Sequence, residues 1–110
     1  MEKYGLAFEK VEDVEIKGKN YTKLIPGFLR PDNTKLYFYY DWQEETYTDR
    51  GQAYSNAFFA QRDLAVVDWV VARYHCQRGN LRELRSNDPV VLIQAMLAVY
   101  AWCEMKEWLK

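Results

Sequence analysis

One histidine, two cysteines, two serines and no surplus of charge are what this chain has least of, and each shortage removes a class of function. A lone histidine, His75, cannot build a metal cluster by itself. Its neighbour Cys76 does not make a Cys–His pair, because consecutive helical side chains diverge. Cys76 and Cys103 lie in apolar helical sequence without metal-ligand spacing and read as reduced and buried. Ser55 and Ser86 stand where helix caps are expected, and no nucleophile elbow, phosphate loop or zinc motif occurs. No metal, no cofactor and no enzymatic activity are therefore expected; an enzyme with a site assembled from distant carboxylates is the minor alternative. Fifteen Lys and Arg against sixteen Asp and Glu leave a net charge of −1, without the general basic surplus that drives nonspecific DNA binding. The acidic group Asp41, Glu44, Glu45 and Asp49 matches no calcium loop and reads as a solvated surface. The amino-terminal MEKYGLAFEK mixes both charges and does not read as a secretion signal, so the cytoplasm is the expected location.

What is present is apolar and aromatic. Four Trp, nine Tyr and five Phe supply large side chains that fill a core or anchor an interface. The longest apolar run, residues 90–103 (VVLIQAMLAVYAWC), has Gln94 as its only strongly polar residue and neither Gly nor Pro, so it reads as helix. Asp88 before Pro89 marks its start, and the helix is expected over residues 89–109, with Leu97 and Trp102 in the core. Fourteen residues span about 21 Å against the ~30 Å core of a bilayer, so no membrane span is expected. A helix apolar almost all round needs cover on every side. One sheet and one helix in a 110-residue chain leave part of it bare, which predicts a homodimer through this helix or a complex with another protein.

Before residue 43 the period is two. Residues 3–11 read as a first strand with Tyr4, Leu6 and Phe8 on one side; after Glu12-Asp13 the alternation resumes, and breaks at Gly18-Lys19-Asn20, Pro26-Gly27 and Pro31-Asp32-Asn33 separate further extended runs. In KLYFYYDW, residues 35–42, Leu36, Phe38, Tyr40 and Trp42 face one way, and Tyr37, Tyr39 and Asp41 the other. Residues 43–54 read as a polar connection. Ser55 or Asn56 caps a helix expected to reach Arg78, with Val67, Val70, Val71 and Tyr74 inward; Leu81 to Arg85 add a further helical turn. The expectation is one α+β domain over residues 1–110: an N-terminal antiparallel sheet of three or four strands followed by two antiparallel helices packed on it, with no strand after residue 55.

Three surfaces stand out. Arg62, Trp69 and Arg73, with His75 beside them, fall on the outward stripe of the first helix, and Trp and Arg dominate interface hot spots; the bland alternative folds Trp69 under the 43–54 connection. Arg73, Arg78, Arg82 and Arg85 gather around the interhelix turn, where guanidinium forks suit phosphate or carboxylate. Tyr37 and Tyr39 form an aromatic row of the kind on which single-stranded nucleic acid stacks, unless the helices cover that face and leave the Leu36 row exposed. The reading that fits best is a small non-enzymatic protein-binding module that occupies a partner surface, as inhibitors, immunity proteins and accessory subunits do. A nucleic-acid-binding module using the four arginines with Tyr37 and Tyr39 is the alternative.

Overall fold

The computed structural model describes residues 8–27, 29–31, 33–74, 77–78 and 83–108. Alternating apolar and polar residues with β-branched content make β1 (Lys10–Ile16) and β2 (Lys19–Ile25) a hairpin closed by Lys17 and Gly18. Both turn residues have positive φ, 52° and 79°, as a two-residue turn matched to strand twist requires. β3 (Phe38–Asp41) pairs with β2, and β4 (Thr46–Thr48) with β3. Two helices follow, α1 (Gln52–Phe59) and α2 (Leu64–Arg73), then the short β5 (Gln77–Arg78) and β6 (Leu84–Ser86), and last α3 (Pro89–Trp108). The six strands form one antiparallel sheet in the order β1-β2-β3-β4-β6-β5, so the last hairpin returns beside β4.

The α+β class is as the sequence predicts, but six strands stand where three or four were expected and three helices where two were, the hairpin turns at Lys17-Gly18 with Lys19 and Asn20 already in β2, and further boundaries differ. Residues 43–54 are not wholly a connection: Thr46–Thr48 is a strand, and α1 begins at Gln52 without Ser55 or Asn56 as its cap. The helix expected to reach Arg78 breaks after Phe59, because Gln61 adopts φ 57° and Asp63 restarts the helix by accepting a hydrogen bond from the Ala65 amide at 2.9 Å. Strands do follow residue 55. Leu84–Ser86, expected to begin in a helical turn, is instead extended, since pairing with β4 places Leu84 and Ser86 in buried positions. Residues 3–7 of the expected first strand, with Cys76 and Leu81, lie outside the described residues.

The helices cover the face of the sheet that carries Leu24, Leu36, Phe38, Tyr47 and Leu84. Against it α3 lays Leu92, Ile93, Ala95, Met96, Val99 and Tyr100, all buried; Leu97 and Trp102 are half-buried at the margin. Asp88 caps α3 as its sequence predicts, its carboxylate accepting from the Val90 amide at 2.9 Å. Much of the cover that α3 requires comes from within the chain. α1, α2, β4 and β6 all pack on α3, and from residue 89 to 104 Gln94 is the one exposed side chain. Arg30 and Arg62 add to that cover by stacking on Tyr100 and Trp102, at 4.0 and 3.8 Å from the ring centroids. Cys103 is free and buried, and burial pushes its thiol up from the usual value. Among the described residues no helix is long and apolar enough to cross a membrane.

Candidate functional site

The turn from β4 into α1 leads to Phe58 and Phe59, the most exposed large apolar side chains among the described residues. Arg50 and Gly51 both take positive φ, 56° and 82°, and swing the chain sharply out of the sheet. Asp49, buried beneath them, holds that turn with its carboxylate, which accepts from the amides of Gly51 at 2.8 Å, Ala53 at 2.9 Å and Leu84 at 2.9 Å. One side chain thus ties β4, the first turn of α1 and β6 together. Burial pushes this carboxyl up to about 6; the three amides oppose the rise, and the nearby Glu83 charge adds to it.

From that anchored start α1 runs only eight residues, and its inward positions are Ala53, Tyr54 and Ala57. Phe58 and Phe59 come at the end, where the chain is about to break, and they remain 65% and 82% exposed, packed edge to face at 5.5 Å. A groove of about 370 Å³ lies beside them, lined by Arg50, Tyr54, Ser55, Phe58, Phe59 and Leu64. The Tyr54 hydroxyl donates to Asp68 and so joins the groove to α2. On α2 the exposed stripe consists of Ala65, Asp68, Trp69, Ala72 and Arg73, with Trp69 62% exposed.

Of the residues singled out in the sequence, Trp69 and Arg73 do share this outward stripe, and the 43–54 segment does not bury the indole. Arg62 is set apart from them: it lies in the break between α1 and α2, with Nη2 donating to the Trp102 carbonyl at 3.1 Å. His75 and Arg82 lie outside the described residues. Phe58 and Phe59 were missed because a continuous helix to Arg78 would not have ended beside them. The legible signal was Asp63 ahead of LAVV, a cap residue before an apolar run.

The opposite face of the sheet holds Tyr37, Tyr39 and Arg85. Here Asp41, fully buried, bonds Arg85 at 3.1 Å and Lys19 at 3.3 Å, and Arg85 also reaches Glu83 at 2.9 Å and the Thr46 hydroxyl at 2.7 Å. Burial alone would raise the Asp41 carboxyl, but the Glu44 amide, Arg85 and Lys19 outweigh it and hold the group below its ordinary value. The acidic residues grouped in the sequence therefore part company: Asp41 and Asp49 are buried and bonded, while Glu44 and Glu45 are exposed. Tyr37 and Tyr39 are half-buried, edge to face at 6.0 Å, with the Lys23 ammonium 4.3 Å from the Tyr37 centroid. Among the described residues no group of three or more His, Cys, Asp or Glu is placed to hold a metal ion.

No family model, curated protein or solved structure matches the chain.

Proposed function

We propose that this protein is a small non-enzymatic binding module that acts by occupying the surface of another protein, with the α1–α2 layer as its contact face. Inhibitor, immunity and accessory-subunit roles all work in this way. The observation that carries the reading is the placement of the exposed aromatics. Among the described residues six large hydrophobic side chains are exposed, and Phe58, Phe59 and Trp69 are three of them within one short helical pair. Large apolar side chains concentrated on one layer gain about 25 cal/mol for each Å² removed from water, and aromatic anchors dominate the energetics of protein interfaces. Arg73 flanks Trp69 one turn along α2 and supplies a charge at the rim.

The nucleic-acid alternative draws less support, because Arg85 is engaged by Asp41 and Glu83, and Lys23 already covers Tyr37. The reading is tested by affinity capture from native cells, followed by calorimetry on the protein that co-elutes. A partner whose affinity falls when Trp69 is changed to Ala supports it. Retention on nucleic acid that falls steeply with salt, and is lost with Arg73→Gln in place of Trp69→Ala, replaces it with the alternative.

A further inference from the structure

A second surface lies at the other end of the molecule. Along β2 the row facing the helical layer passes from Leu24, in the core, through Thr22, buried and polar, to the exposed Asn20 near the hairpin turn. The neighbouring strands change in step: Phe38, Tyr40 and Trp42 leave the core on one side, and on the other Val11 is followed by Asp13 and Glu15. This end of the face carries a groove of about 510 Å³ lined by Asp13, Val14, Glu15, Asn20, Tyr21 and Trp42.

Trp42 is 53% exposed and yet held in one orientation. Its Nε1 donates to the Thr22 hydroxyl at 2.7 Å, that hydroxyl donates to Asp13 at 2.8 Å, and the ring packs edge-on against Tyr40 at 4.8 Å. Elsewhere the chain repeatedly sets a cation over an aromatic ring: Lys23 on Tyr37, Arg50 on Tyr21, Arg30 on Tyr100 and Arg62 on Trp102. Trp42, of the residue type whose face attracts cations best, has none over it among the described residues, and two exposed carboxylates share its groove. An indole already fixed in place loses little entropy on receiving a ligand.

We propose that this groove binds a lysine or arginine side chain presented by a basic segment of a partner protein, with Trp42 as the stacking platform and Asp13 and Glu15 as the counter-charge. An acidic or purely apolar segment does not fit, since it would leave both carboxylates facing like charge or desolvated without a counter-charge. The site uses none of the α1–α2 residues, so it stands or falls separately from the reading above.

The test is a titration of the isotope-labelled full chain with a short peptide alternating arginine and alanine, and with its glutamate counterpart, followed by NMR at low salt. The expected result is saturable movement of the Trp42 indole N–H and of the Asp13, Glu15, Asn20 and Tyr21 amides with the basic peptide alone. Trp42→Ala should weaken that binding by about tenfold and Glu15→Gln by about threefold. Glu15 is exposed, so its variant keeps the fold and remains decisive if Trp42→Ala does not fold. Equal movement with the glutamate peptide, no saturable movement with either, or unchanged affinity in the folded Glu15→Gln and Trp42→Ala proteins overturns the proposal.

Discussion

α3 and the α1–α2 pair are both rich in large apolar residues, and the fold treats them oppositely. α3 is apolar almost all round and is covered over most of its described surface by α1, α2, the sheet and two stacked arginines, with a half-buried stripe at Val90, Leu97 and Ala101 beside the exposed Gln94. The α1–α2 pair has fewer large side chains and leaves Phe58, Phe59 and Trp69 in water. Hydrophobicity in the sequence therefore does not say which element seeks a partner. Cover depends on where the chain breaks, and the break at Gln61 sends Phe58 and Phe59 outward while allowing Arg62 to turn back onto Trp102.

The largest effect expected from this contrast is on the α3 side. Leu92 is fully buried against the sheet and the other helices, so Leu92→Ala should cost about 2 to 5 kcal/mol in a urea titration. A loss below about 1 kcal/mol would mean that α3 is not the centre of the core. Leu97, half-buried, should cost less than Leu92 when truncated in the same way.

Asp49, at the root of the α1–α2 layer, gives a pH test. Its folded carboxyl titrates at about 6, above the ~3.9 of an unfolded aspartate. The folded state therefore holds the proton more tightly. The stability this group contributes is fully present below about pH 3.9 and is lost as the pH rises through about 6, to the extent of about 3 kcal/mol. Urea midpoints for the parent and Asp49→Asn between pH 4 and 7.5 check it: only the parent should show this decline, and parallel profiles would refute it. Asp41 works in the opposite sense. Its carboxyl is held below the ordinary value, so its contribution is present above about pH 3.9 and lost as the pH falls through its folded value.

A smaller effect separates the two roles of arginine. Arg62→Ala removes a stacked guanidinium and a bond to the Trp102 carbonyl, and should cost about 1 to 2 kcal/mol, whereas Arg73→Ala, on the exposed stripe, should change stability by less than about 0.5 kcal/mol. Similar losses for both would show that Arg62 is not part of the cover over α3. Trp69→Ala belongs with Arg73 in stability, also within about 0.5 kcal/mol, and thermal denaturation separates it from a core residue.

How much of this was legible depends on the length over which a pattern runs. The long α3 with its Asp88 cap, the β1–β2 hairpin and the two alternating rows of residues 35–42 could be read, because each repeats its period or carries a turn residue, but which of the two rows turns inward could not, since both are aromatic. β4 and β6, each three residues long, are too short for alternation to show; β4 folds back on its neighbour β3 across a short turn, and β6 exists because β4 and Asp49 offer it partners distant in the chain. The outward stripe of Trp69 and Arg73 followed from helical spacing, since that part of α2 is regular. Arg62 did not, because one left-handed residue at Gln61 removed it from the helix on which the spacing had placed it. The paired state of Arg85 was likewise hidden, its acidic partners Asp41 and Glu83 being brought together only by the sheet.

The most direct test of the central claim is affinity capture from native cells with the parent chain and a Phe58→Ser, Phe59→Ser, Trp69→Ser variant side by side, after urea titration has shown that both are folded. A partner protein retained by the parent and lost by the variant, with affinity reduced by about 2 kcal/mol or more, is the predicted result. Identical retention by both proteins, or no retained protein for either, would contradict the α1–α2 layer as the binding face.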